Sequence, residues 1–199
     1  MIGAVIVLLK DLLNDYLKTQ AGTGPEESQE DRVVFLDGER LDEVAFKSGA
    51  ITAILVNLEE ESTLRSADLY RGMNEQGEIT DIFPEIRLNL YVLFVARFKQ
   101  YDKGLQHLSS IISFFRAHRV LDHRNAPALD GSIDRLAIEL ITLPFSEQNE
   151  VWSSLRTAYH PSVLYRVKLL AFRDEGAPAA SEVQDVAIEL NEMATEVSR

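Results

Sequence analysis

The stretch Ile86-Arg87-Leu88-Asn89-Leu90-Tyr91-Val92-Leu93-Phe94-Val95 decides the fold class. Ile86, Leu88, Leu90, Val92 and Phe94 alternate with Arg87, Asn89 and Tyr91, the period of two that turns successive side chains to opposite faces of a strand. From Tyr91 through Val95 both faces are apolar. A strand that is apolar on both sides has to be covered on both sides, so this one is expected at the centre of a sheet.

Upstream, Ile2, Val5, Ile6, Leu9, Leu12, Leu13 and Tyr16 recur at helical spacing and predict an amphipathic helix over 2–18. Ala21-Gly22-Thr23-Gly24-Pro25 ends it, and the polar segment Glu26–Asp31 extends the loop. Arg32–Leu36, closed by Asp37-Gly38, predicts a strand. A buried strand is expected over 50–58, with Glu59-Glu60-Glu61 directly after it. Residues 62–84 are polar, with a turn expected from Asn74 to Gly77.

Downstream, Leu105, Leu108, Ile111, Ile112 and Phe115 predict a helix over about 102–117, followed by a loop around Pro127 and Asp130-Gly131. Ile133–Leu143 alternates as a strand. Ser146 is placed as the N-cap of a helix running through Val151, Trp152 and Leu155, which His160-Pro161 stops. Val163–Phe172 is the last strand. Residues 173–178 form a hinge, and Val183, Val186, Leu190, Met193 and Val197 lie on one stripe of a terminal helix. The order predicts one α+β domain over 1–173, a mixed or antiparallel sheet carrying helices on one side, with a hinge and amphipathic helix over 174–199.

Composition narrows the function. Hydrophobic residues make up 46% and charged residues 26%, as in an ordinary folded domain. Twenty basic against 32 acidic side chains leave a net charge of −12, which disfavours nucleic acid and anionic membrane surfaces. There is no cysteine, so disulfides, thiolate metal sites and thiol nucleophiles are excluded. The N-terminal apolar run has no positive region before it and is too short to span a bilayer, so neither a secretory signal nor membrane insertion is expected.

No catalytic or cofactor motif emerges. His118 and His123, with Asp122 between them, fall where a helix runs into a loop and lack the i, i+4 spacing of a helical metal site. A helix-end role for His118 and Arg119 is the favoured reading. His107 is expected to face solvent and His160 to sit in a turn. Ser109-Ser110 lies within a helix, away from the strand-to-helix turn of a nucleophilic serine. The Gly22–Pro25 loop follows a helix and carries no phosphate-binding lysine. Glu59, Glu60 and Glu61 cannot all converge on one ion from a straight strand. They are expected at a solvated strand end, or as partners for a neighbouring subunit. Because the Val183, Val186, Leu190 and Met193 stripe stands beyond a hinge, something must cover it: either its own domain, or a neighbour for which it is a second candidate contact element.

Longer stretches carry a resemblance. They run from Leu8-Leu9, Leu12-Leu13 and Tyr16-Leu17 through Ile54-Leu55-Val56-Asn57-Leu58-Glu59-Glu60-Glu61 and Arg87–Phe94, with Arg97-Phe98 and Tyr101 behind. Leu105, Leu108-Ser109 and Ile111–Phe115 continue the set, which ends with Glu139-Leu140, Trp152–Leu155 and Tyr159–Arg166. Over about residues 2–172 the chain resembles the DUF4255, or Pvc16 N-terminal domain, family of cap proteins of extracellular contractile injection systems. The resemblance implies a hexameric ring on the distal end of an inner tube, contacts with the tube and sheath proteins, and no catalytic residues or cofactor. It further implies synthesis in the cytoplasm and incorporation into the particle. An adaptor or assembly chaperone for the same particle is the alternative, and an enzyme using the acidic or histidine cluster is a distant third.

Overall fold

Val92, Phe94 and Ala96 point to one side of their strand and Leu93 and Val95 to the other, and both sets are buried in a computed structural model of the chain. The structure describes residues 1–20, 31–36, 44–61, 71–73, 79–81 and 87–171. Its elements run α1 (Ile2–Gln20), β1 (Val33–Val34), β2 (Ala50–Glu60), β3 (Arg71–Met73), β4 (Ile79–Asp81), β5 (Arg87–Arg97), α2 (Tyr101–Ala117), β6 (Val120–Asp122), β7 (Ile133–Ile141), α3 (Phe145–Ser154) and β8 (Ser162–Ala171). Six strands form one sheet in the order β1-β2-β5-β8-β7-β6, and β3 and β4 pair as a separate ribbon. The doubly apolar β5 is therefore interior, between β2 and β8.

The sheet is mixed because β1 runs parallel to β2 while every other pair is antiparallel. Of the predicted Arg32–Leu36 strand, only Val33 and Val34 pair, and Phe35 and Leu36 are exposed. Asn14 holds this short edge strand. Its amide Nδ2 donates to the Val33 carbonyl at 2.9 Å, and its Oδ1 accepts from the Val33 amide at 2.8 Å. At 2% exposure Asn14 is a polar residue inside the packed face of α1, and both its amide groups are satisfied, as burial demands.

One face of the sheet carries α1 and α2. Val5, Leu9 and Leu13 of α1 and Leu108, Ile111 and Phe115 of α2 pack with Leu90, Val92, Phe94, Leu136, Val167 and Leu169. The opposite face is covered over half its length: Phe46 and Trp152 close on Ile54, Leu93, Val95 and Leu164. Helices thus lie on both faces, not on one side as expected. Leu93 and Val95 point away from α1 and α2, so a further apolar layer has to cover them, and α3 with the 44–47 segment supplies it.

Other boundaries differ for local reasons. Pro144, not Ser146, precedes α3; it makes no side-chain cap, and its carbonyl accepts the first helical bond from the Gln148 amide at 2.9 Å. The proline ring sets the backbone angle at which strand turns into helix, leaving Ser146 inside the first turn. The strand expected to stop at Leu58 continues through Glu60, because β5 goes on pairing opposite it, Glu59 to Asn89 and Glu60 to Leu88. The register slips between Leu55 and Asn57, the mark of a bulge that re-aims the side chains beyond it. β6, which has no sequence pattern of its own, adds an edge to β7. β3 and β4 flank the turn expected at 74–77, which lies outside the described residues, as do Phe172 and the 174–199 tail. Gly49 sits at φ +82°, a backbone that side chains disfavour, at the entry to β2.

Candidate functional site

Among the described residues, the part of this face that α3 and Phe46 do not cover is a polar ladder across four strands, β2, β5, β8 and β7. Register places Tyr91 beside Asn57 on one side and Arg166 on the other, with Glu139 next in line. The Tyr91 hydroxyl donates to Glu59 Oε2 at 2.8 Å, and Asn57 Nδ2 donates to Glu59 Oε1 at 3.0 Å. Asn89 Nδ2 donates to Glu61 Oε2 at 3.2 Å. Across the sheet, Arg166 donates through Nη2 and Nε to Glu139 Oε2, at 2.6 and 3.2 Å. Lys168 Nζ lies 2.9 Å from Glu139 Oε1.

These contacts shape the electrostatics. The hydrogen bond to the Glu59 carboxylate raises the Tyr91 pKa above its ordinary value, so Tyr91 is a neutral donor at physiological pH. Lys168 and then Arg166 hold the Glu139 carboxyl below the usual carboxylate range. Lying in the open, such pairs are each worth roughly 0.2–1 kcal/mol; their value is in displaying charges of both signs in fixed positions. Glu139→Gln is expected to lose about 0.5 kcal/mol at neutral pH. Since the folded pKa lies below the ordinary 4.5, this contribution is present above that value and fades as pH falls through the depressed one. Urea midpoints of the two proteins should therefore differ at pH 7 and converge as the pH falls below the depressed value; a gap that persists unchanged in acid would show that packing, not charge, is responsible.

The strand-end glutamates are thus not equivalent. Glu59 belongs to the ladder, Glu61 reaches Asn89, and Glu60 lies opposite Leu88. Val183, Val186, Leu190 and Met193 lie outside the described residues. His118 and His123 are held apart by different carbonyls, His118 Nδ1 donating to Phe114 and His123 Nε2 to Ile133, each at 2.9 Å. Among the described residues no group of three or more metal-ligating side chains is suited to an ion. His107 is half-buried and stacks on Phe98 at 4.9 Å between ring centroids, against the expected solvent-facing position. His160, expected in a turn, packs edge-on to Phe46, and burial lowers its pKa.

A cleft of about 560 Å3 opens at the start of α2, with Lys18, Arg32, Lys99 and Lys103 at its walls and Leu17 and Phe98 within it. No helix among the described residues is long and apolar enough to cross a membrane.

The sequence model of the Pvc16 N-terminal domain matches residues 4–185, which includes almost every element described above. The chain belongs to the Pvc16 N-terminal domain family. Two solved structures are similar to the chain at low identity. One is the sheath/tube terminator of an extracellular contractile injection system, PVC, in its extended state, at 17% identity and a TM-score of 0.46, with 75% of this chain and 50% of that one covered. The other is the tube-terminating cap of the anti-feeding prophage, at 16% identity and a TM-score of 0.46, with 74% and 48% covered. This Pvc16 N-terminal domain therefore spans about half the length of the solved chains it matches. A search of curated proteins returns no match.

Neither the ladder nor the cleft of this Pvc16 domain is encoded in a local sequence pattern. Arg166, Lys168 and Glu139 are far from Tyr91 and Glu59 along the chain and meet only through strand register. Alternation alone marked Arg87, Asn89 and Tyr91 as one polar face, which was the sole signal that this face is not wholly packed.

Proposed function

We propose that this Pvc16-family protein is a structural cap, or tail terminator, which forms a ring on the distal end of the inner tube of a contractile injection particle, ends tube growth and holds the last sheath layer. Family membership across residues 4–185 carries this reading. A tube stops growing when its last ring is covered by a subunit that matches it on one face and does not offer the growing face on the other. Ring closure requires heterologous contacts that return on themselves. The ladder suits such a role, since fixed charges of both signs set register and reject wrong partners more than they add affinity. The tail beyond 173 supplies a second contact element, and the protein acts without a cofactor.

The experiment is the length distribution of particles in negative-stain electron micrographs, with and without this gene. Overlong or irregular tubes, or sheaths that fall from their tubes, are expected on its loss, with labelled protein at one particle end on complementation. Particles of normal length and normal sheath would overturn the cap in favour of an adaptor.

A further inference from the structure

The cleft beside α2 gathers cations around a concavity on a chain whose net charge is −12. Among the described residues that line it there is no carboxylate; Asp31, just outside, pairs with Lys18 at 3.0 Å. Lys99 and Lys103 stand just before α2 and in its first turn, where the positive end of the helix dipole disfavours cations. The helix dipole alone does not account for cations at this end, which a concave basic surface does. Phe98, with His107 stacked on it, and Leu17 add apolar surface between the charges.

We propose that this cleft receives the acidic 182–196 stretch of a second copy, a contact that, resting on the cap reading, joins neighbours in the ring. In that stretch Glu182, Asp185, Glu189, Glu192 and Glu196 recur at alternating steps of three and four, the spacing that aligns side chains along one stripe of a helix. Val183, Val186, Leu190, Met193 and Val197 each follow by one position, so on a helix an apolar stripe would run alongside the acidic one. The two stripes match the two kinds of surface in the cleft, carboxylates to the lysine and arginine walls and aliphatic side chains to Leu17 and Phe98. A long polyphosphate would meet the same cations but also the surrounding negative field, whereas a short acidic segment confined to the cleft is shielded from charges beyond about 8 Å at physiological salt. Tail of one copy into cleft of the next is a head-to-tail contact, the class that closes rings.

The test mixes isotopically labelled and unlabelled full-length chain, treats it with a carbodiimide that joins only touching amines and carboxylates, and maps the bonds by mass spectrometry. The Lys168–Glu139 pair, 2.9 Å apart, is the internal standard. Bonds from Lys18, Lys99 or Lys103 to the Glu182–Glu196 stretch in mixed-isotope pairs are expected. Lys99→Glu with Lys103→Glu should lower the Lys18-to-tail yield about tenfold, and Glu189→Lys with Glu192→Lys in the partner copy should restore it. Bonds to the tail or to Glu26, Glu27 and Glu30 within one copy only, or no cleft bonds while the standard forms, would overturn the proposal. Normal tube lengths on gene loss would sink the cap reading while leaving a copy-to-copy bond standing, so the two failures are distinct.

Discussion

Replacing Phe94 by alanine is expected to destabilise the domain by about 3–5 kcal/mol, the usual cost of emptying a fully packed aromatic site. Phe94 is 1% exposed on the central strand, with the Phe115 ring centroid at 5.8 Å and that of Tyr165 at 6.0 Å. Phe115 and Tyr165 themselves lie 4.7 Å apart, so the three rings form one contact group between α2, β5 and β8. A chain of this size loses roughly 2–4 °C of melting temperature per kcal/mol, so a fall on the order of 10 °C should appear in a thermal melt. Phe94→Leu keeps most of the volume and should cost only about 1–2 kcal/mol. A loss below about 1 kcal/mol for the alanine variant would mean that β5 is not the packed centre of the sheet. Because β5 also presents Asn89 and Tyr91 to the ladder, the same variant should yield fewer correctly ended particles.

Asn14→Ala is expected to cost about 2–3 kcal/mol, more than two ordinary hydrogen bonds, because it strands a buried donor and a buried acceptor at once. Val33 is 0% exposed, and its amide and carbonyl are both taken by this one side chain, at 2.8 and 2.9 Å. Hydrogen exchange at the Val33 amide should accelerate ahead of the β5 amides, since β1 pairs with β2 over only two residues. Equal protection of Val33 in the two proteins would show that the parallel pairing holds the edge without Asn14.

Much of this architecture was legible in residues with a strong period. The α1 and α2 stripes and the alternation of β5 identify their elements because hydrophobic periodicity reflects a buried face directly. Weak local signals misled where a neighbour decided the outcome. Ser146 is a good capping residue by type, yet Pro144 had already set the turn. Val120–Asp122 has no pattern of its own and is a strand because β7 offers an edge. The continuation of β2 through Glu59 and Glu60 likewise follows from the length of β5, not from the preference of glutamate for strands.

By itself the sequence determined the fold class, the interior place of β5, the acidic balance and the family, since these depend on composition, period and the order of motifs. Tertiary structure alone decided which side of the sheet α3 covers, that Asn14 is a buried clasp and not a surface amide, and that Glu59, Tyr91, Arg166 and Glu139 stand in one row. It also brought Lys18 and Arg32 to the first turn of α2. The physical reason is the same in each case: register and helix docking join residues far apart in the chain, and no local propensity encodes which distant partner a side chain will meet.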